Sequence, residues 1–254
     1  MKISFLGIYG AVPSKESGNV SILVDYGLGL ALIDVSGNPV QAILRANRKV
    51  EDLSVVVLTH AHVDHIYGFP SLLHTLYCMG RKRELKVVSD EYTFKFAKSL
   101  ADLFGLKRSK IGFSVYFFSE EEFFIDDRLQ IEMFPGDHGI PSSMVKMKSC
   151  DSNSGFLYTS DTRSTSLICE VAKDVNVMIH EASGSHEHID VLERSGHSSG
   201  LQAGMDAECS GVKKLFLCHF GIDNNNAPEI MAMEASKEFN GEVIIPELYK
   251  WYEL

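Results

Sequence analysis

The apolar run Leu53 to Leu58 leads directly into Thr59–His65 (THAHVDH), which places three histidines and an aspartate within six positions. In an extended chain alternate side chains share a face, so His60 and His62 can point at one ion. Asp64 and His65 then fall where the chain must turn. A carboxylate and a further imidazole at that turn can hold a second ion a few ångströms away, the arrangement of two-metal hydrolases. A chain with this segment must therefore fold so that one strand end is met by additional donors.

The 254 residues contain no Pro/Gly/Ser-rich linker, and a single domain over residues 1–254 is expected. A hydrophobic content of 45% with 23% charged residues suits a soluble globular chain. No apolar run approaches the roughly 18 residues of a membrane span, and Met1 to Leu6 has neither the long apolar stretch nor the cleavage site of a signal peptide. The cysteines (Cys78, Cys150, Cys169, Cys209, Cys218) are scattered, odd in number and without a CxxC pair, so neither a disulfide framework nor a thiolate zinc site is expected. That composition points to a reducing, cytoplasmic setting, with Cys218 a buried strand cysteine. The net charge of -10 argues against unaided binding to nucleic acid, and the basic clusters Arg81, Lys82, Arg83, Lys86 and Lys107, Arg108, Lys110 read as solvated faces.

Short apolar runs form two series. The first comprises Ile3–Leu6, Val20–Val24, Leu30–Ile33, Leu53–Leu58 and Leu85–Val88. The second comprises Val115–Phe118, Leu129–Phe134, Ser143–Met147, Phe156–Tyr158, Val175–Ile179, Lys214–Cys218 and Val243–Ile245. Helices are expected between them after Asn38, where Asn and Pro39 form a start signal, and over Ile66–Met79, Glu91–Phe104, Ser164–Ala172, Gly200–Gly211 and Pro228–Phe239. Two strand series with interleaved helices predict an α/β fold of two packed sheets with helices outside. Three further metal-type residues fall at strand ends or just beyond: His138 in FPGDHGIPS, Asp161 closing LYTSD and His219 closing LFLCH.

HAHVDH matches every specified position of HxHxDH, the signature of the metallo-β-lactamase superfamily, and the chain resembles that family over nearly its whole length. The resemblance implies the four-layer αββα sandwich. It also implies that His60, His62 and His138 hold one metal, that Asp64, His65 and His219 hold the other, and that Asp161 bridges them. Two cations sharing one water lower its pKa until hydroxide exists near neutrality. Imidazole and carboxylate donors suit zinc, and manganese or iron are compatible with them. The diiron branch usually carries Glu at the position of His62, so two zinc ions are expected.

The segments IHEAS (Ile179–Ser183) and GHSS (Gly196–Ser199) resemble the HEAT and HST boxes of ribonuclease Z and its phosphodiesterase relatives. LCHFG resembles the terminal LTHFS of that branch, HGIPSS its HSVPS, and FLGIYGAVPS its FLGTGAAxPS. The resemblance gives Asp64, Glu181 and His197 catalytic roles. An alkoxide leaving a phosphodiester needs a proton, and a carboxylate-oriented imidazole can deliver it.

Other segments carry less. HEHID (His186–Asp190) imitates HxHxD but follows a polar loop and is expected to be solvated. GIYGAVPS lacks the lysine of a phosphate-binding loop and reads as a tight turn near the site. His74 lies too far along its helix to ligate. Asp34 ends a strand and is either structural or a support behind a ligand. Enzymes of this branch that bind tRNA usually carry a long arm between the third motif and the bridging Asp. Here the interval from His138 to Asp161 has room only for a strand, a turn around Asp151–Ser154 and a second strand. The expected function is a dinuclear zinc phosphodiesterase for an RNA 3′ end or a cyclic or small phosphodiester. Hydrolysis of lactones, thioesters or β-lactams, and a non-catalytic metal scaffold, are the competing readings. The resemblance further implies a homodimer, and the lack of a long apolar run predicts no membrane association.

Overall fold

The computed structural model describes residues 1–118, 122–125, 128–152, 154–221 and 227–254. Arg108 and Asn153, which the sequence reading places in a basic cluster and a turn, have a side chain and a whole residue respectively outside that description. One sheet is built from β1 (Lys2–Gly7), β2 (Ser21–Asp25), β3 (Leu30–Ile33), β4 (Leu53–Val57), β5 (Leu85–Val88) and β6 (Val115–Phe118). The other contains β7 (Glu122–Ile125), β8 (Leu129–Pro135), β9 (Ser143–Ser149), β10 (Gly155–Tyr158), β11 (Val177–Glu181), β12 (Lys214–Cys218) and β13 (Glu242–Ile244). A C-terminal strand, β14 (Trp251–Glu253), returns to pair antiparallel with β1. The spatial orders are β14-β1-β2-β3-β4-β5-β6 and β13-β12-β11-β10-β9-β8-β7.

Why two sheets can be apolar on both faces is visible residue by residue. In β2 to β4, Ile22, Val24, Ala31, Ile33, Val55 and Val57 face the space between the sheets. Their alternates Leu23, Leu30, Leu32, Leu53 and Val56 face outward, into a second core. That outer core is covered by α1 (Pro39–Arg45), α3 (Phe69–Cys78), α4 (Glu91–Leu103) and α5 (Arg108–Ile111), which follow or flank the short α2 (Val63–Ile66). The second sheet is covered by α6 (Ser166–Val171), α8 (Gly200–Ser210) and α9 (Pro228–Glu238), with α7 (Ile189–Ser195) near α8. The result is the four-layer αββα sandwich. Among the described residues no helix is long and apolar enough to cross a membrane.

Helix starts follow the capping signals: the Asn38 side chain accepts from the Gln41 amide, and Ser199 and Gln202 form a capping box at α8. On α8, a Cβ on Gly204 would strike the backbone of Ala235, so the absence of a side chain there allows α9 to lie close. The expected single helix over Ile66–Met79 is instead two, because the chain re-initiates at Gly68 and Pro70. Among the described residues, β7, β14, α5 and α7 escape the sequence reading. The two helices are too short or too polar to show a periodic apolar stripe, and the two strands are short sheet edges.

The HEHID segment leaves its side chains at least partly exposed, as expected, although Ser185 accepts from the Glu187 amide and starts a 3₁₀ turn that runs into α7. One expectation is overturned. Cys169 on α6 and Cys209 on α8, expected to be free thiols, form a disulfide across a sequence separation of 40, with Cα atoms 5.6 Å apart. Helix packing brings together cysteines that spacing along the chain could not relate. Closing such a loop stabilises by about 4 kcal/mol on chain-entropy grounds. Reduction, or Cys209→Ser, should therefore lower the thermal midpoint by about 2–4 °C per kcal/mol lost, as read by calorimetry with and without reductant. Cys218 is fully buried in β12, as expected.

Candidate metal centre

β4 delivers Leu58 to His60 out of the first sheet, and this exit is pinned across to the second sheet. Ser143 N donates to Thr59 O at 3.0 Å, and His60 bridges Ser142. His62 is extended at the cap of α2, whose first turn carries Asp64 and His65, so the turn read from the sequence is a helix start. His138 follows β8, Asp161 follows β10 and His219 follows β12, each at the same end of the sheets. The backbone there is unusual: Asp34 (φ 57), Ser160 (φ 54) and His219 (φ 58) all occupy the left-handed region. At about 1–3 kcal/mol each, such strain is sustained by the surrounding packing.

The side chains converge in two sets. His62 Nδ1 lies 3.1 Å from both His60 Nε2 and His138 Nε2. Asp161 Oδ2 is 3.5 Å from His60 Nε2 and 4.0 Å from His138 Nε2. In the second set, Asp64 Oδ2 is 3.5 Å from His65 Nε2 and 3.7 Å from His219 Nε2. Asp161 Oδ2 lies 3.5 Å from that His65 atom and 3.1 Å from that His219 atom, so one oxygen belongs to both sets. Four-coordinate zinc with nitrogen ligands at about 2.0–2.1 Å has ligand–ligand edges of about 3.3 Å. The observed separations scatter around that length. His65 Nε2, His219 Nε2 and Asp161 Oδ1 are buried and lack any hydrogen-bond partner. Orphaned donors converging this way fit cations.

The far sides of four of the imidazoles, those that present Nε2, are also supported. His65 Nδ1 meets Asp34 Oδ2 at 2.8 Å, and His138 Nδ1 donates to the Gly196 carbonyl at 2.7 Å. His60 Nδ1 meets Thr59 Oγ1 at 3.0 Å, and His219 Nδ1 meets Ser183 Oγ at 2.9 Å. Partners of this kind set the tautomer that leaves Nε2 bare toward the ions. Asp34 thus supports His65 from behind while also accepting from the Thr59 amide and hydroxyl. Asp34→Ala should weaken zinc affinity by about 10–100-fold, measurable by competition with a chelator; an unchanged affinity would make Asp34 structural only.

Electrostatics match the geometry. Burial resists charge on Asp161, but His219, His65 and His60 outweigh it and hold the carboxyl well below the usual range. Burial likewise opposes protonation of His219, yet Asp161 pushes it up to about 10. Burial, then the neighbouring imidazoles, holds His60 well below its ordinary value. A cluster rich in both signs, each group stabilising the other, is one that cations can enter by displacing protons.

Beside the two sets stand Glu181, at the end of β11, and His197, in the loop before α8. Glu181 Oε1 is 3.0 Å from His197 Nδ1 and accepts from the Thr162 amide at 2.8 Å. Glu181 is fully buried and His197 only partly so. Burial opposes a charged His197, but the Glu181 carboxylate outweighs it and raises the imidazole above its ordinary value. Ser183, which closes the IHEAS segment, carries a hydroxyl whose contacts only the structure shows. Ser183 Oγ donates to Glu181 Oε2 at 2.7 Å and approaches both His197 Nδ1 (3.3 Å) and His219 Nδ1 (2.9 Å). Gly10 was also missed as a contact, although its segment was read as a turn near the site. A Cβ there would lie 2.8 Å from His219 Cε1, so only glycine leaves that ring its place. His74 stays out on α3 beside Cys78.

A four-layer αββα sandwich with this constellation at one end of its sheets defines a hydrolase of the metallo-β-lactamase superfamily, on its ribonuclease Z-like branch. Comparison agrees. Ribonuclease Z from Archaeoglobus fulgidus is 25% identical over 96% of this chain and 94% of its own length. The metallo-β-lactamase fold protein YhfI from Bacillus subtilis superposes with a TM-score of 0.83 at 19% identity, covering 99% and 98% of the two chains. The short form of human tRNase Z gives 0.82 at 19%, covering 100% and 99%. Within this branch the chain belongs to the family of the anti-Pycsar protein Apyc1, whose sequence pattern matches residues 1–229.

Proposed function

We propose that the chain is a dinuclear, metal-dependent phosphodiesterase that cleaves small or cyclic phosphodiesters. The observation that carries this reading is the Glu181–His197 pair, 3.0 Å apart, placed beside the two donor sets. Hydrolysis of a phosphodiester expels an alkoxide, and a protonated imidazole held by a buried carboxylate supplies the proton. Glu181 engages Nδ1, so Nε2 is the nitrogen that faces substrate. His60, His62, His138 and Asp161 would hold one ion, and Asp64, His65, His219 and the shared Asp161 the other, with zinc the metal best matched to the donors and edge lengths. When bound, such ions acidify water and draw charge from the phosphate oxygens.

Two features favour a small substrate over a folded RNA. β9 and β10 are adjacent antiparallel strands, so the interval where tRNA-binding relatives carry an arm is spent on a hairpin. The net charge of -10 supplies no general attraction for a polyanion. RNA 3′ ends, the substrate class suggested by the ribonuclease Z relatives, are the larger alternative. A single domain, a homodimer and a cytoplasmic location complete the proposal. In the cytoplasm the Cys169–Cys209 pair would be open to reduction.

The deciding experiment assays the zinc- and manganese-supplemented protein, with its metal content measured, on bis(4-nitrophenyl) phosphate, cyclic nucleotides, precursor tRNA, a lactone, a thioester and a β-lactam. Turnover of cyclic nucleotides and the model diester well above the rest is expected. Preferred cleavage of the lactone, thioester or β-lactam would overturn the reaction class, preferred cleavage of precursor tRNA the substrate size, and absence of metal the whole reading.

A further inference from the structure

The buried ionic pair His180–Asp206 takes no part in the chemistry above, yet it is bonded to Ser164, just beyond Asp161, and to the Glu181 peptide. Asp206 lies on α8 and is 4% exposed, and His180, on β11, is fully buried. His180 Nε2 meets Asp206 Oδ2 at 3.1 Å, and Ser164 Oγ donates to Asp206 Oδ1 at 2.8 Å. On its other side His180 Nδ1 lies 2.7 Å from the Glu181 carbonyl. A carbonyl can only accept, so Nδ1 carries a proton, and an ionised Asp206 requires one on Nε2 as well. Burial opposes that charge, but the bond to Asp206 and its charge outweigh burial and raise His180. A charged pair removed from water costs stability unless fully hydrogen-bonded, and replacing it by apolar residues is often neutral or stabilising. Core packing alone does not call for it.

The two side-chain partners of Asp206, together with the helix that carries it, lead to the segments that hold Asp161, Glu181 and His197. Ser164 belongs to the segment that carries Asp161 and Thr162. His180 clamps the peptide of Glu181. α8 itself begins immediately after His197, whose neighbour Ser198 donates to the Thr162 carbonyl at 2.8 Å. The disulfide to α6 leaves from Cys209, one helical turn beyond Asp206. Fixing β11 to α8 fixes Glu181 relative to His197.

We propose that Asp206 and His180 are positioning residues for the proton donor: they hold Glu181 and His197 in register, and through Ser164 they hold that pair against the Asp161 loop. This rests on the phosphodiesterase reading above, and the test separates the two.

A positioning role predicts dependence on the leaving group. Expulsion of 4-nitrophenolate needs little proton donation, whereas expulsion of a sugar alkoxide from a cyclic nucleotide needs much. Asp206→Asn should lower kcat on a cyclic nucleotide by about 10-fold or more, with a much smaller loss on bis(4-nitrophenyl) phosphate, unchanged zinc content and little change in KM. In a His197→Ala background the same substitution should add no further loss, because the two act through one step. Equal losses on both substrates, or losses that multiply in the double variant, would mean a merely structural pair and overturn the proposal. Should Asp206→Asn fail to fold, Ser164→Ala, which removes one bond to Asp206, carries the same comparison with a smaller selective loss expected. A readout free of turnover covers failure of the functional reading. The imidazole N–H resonance of His197, assigned by its absence in His197→Ala, should shift in Asp206→Asn or Ser164→Ala; an unmoved resonance would overturn the proposal, whatever the parent hydrolyses.

Discussion

Asp161→Ala is expected to remove both ions together and to lower kcat/KM on a phosphodiester by at least about 10³-fold. The size follows from the position of one atom. Asp161 Oδ2 is within 3.5 Å of His60 Nε2, His65 Nε2 and His219 Nε2, so its loss opens both donor sets at once. It also removes the negative charge that lets buried imidazoles of the two sets sit so close. Metal analysis of the purified variant would show less than one ion where the parent shows two. A variant that kept both ions would show that the shared oxygen is not the bridge. Asp161→Asn is the gentler control: it keeps an oxygen but not the charge, and it should retain metal better than the alanine variant while remaining well below the parent in rate.

His197→Ala is expected to cost about 10²–10⁴-fold on substrates that expel an alkoxide, and far less on bis(4-nitrophenyl) phosphate. The pH dependence gives a second handle. As the proposed donor His197 would act as the imidazolium, so the rate on an alkoxide-expelling substrate is expected to fall as pH rises through the His197 pKa, which Glu181 holds above the ordinary value against the pull of burial. Glu181→Gln removes the carboxylate that raises it. The alkaline limb of kcat should therefore move to lower pH, making the variant relatively worst above neutrality. A limb that stays in place would detach Glu181 from the proton donor, and an equal loss on both leaving groups would detach His197 from it. Neither substitution removes a nitrogen or oxygen from the two donor sets, so metal content should hold.

How much of this was legible beforehand differs by residue, and the differences are physical. His60 and His62 were readable because strand periodicity relates residues two apart, and Asp64 and His65 because a turn had to follow. His138, Asp161 and His219 each sit where an apolar run stops, which marks a strand end but does not say which strand ends are neighbours. Their pairing came from a family resemblance. Ser183 and Gly10 show the limit. One acts through a hydroxyl that touches Glu181, His197 and His219 at once, and the other through a missing Cβ against the His219 ring. Neither leaves a trace in composition or spacing. The Cys169–Cys209 bridge ran against a sound compositional inference, because only the packing of α6 against α8 makes those two sulfurs neighbours.

By itself, the sequence determined which local structures could form and what donor chemistry they could carry: apolar runs apolar on both faces, capped helices, and imidazoles and carboxylates at strand ends. Those follow from backbone periodicity and side-chain chemistry, which act within a few residues. Only the tertiary structure decided that the ends of β4, β8, β10, β11 and β12 meet at one place, that one oxygen of Asp161 lies near both donor sets, and that Asp206 joins α8 to β11 and to the Ser164 segment. Such relations join residues tens of positions apart through contacts of 3–4 Å, and a contact of that kind exists only once two sheets and their helices have packed.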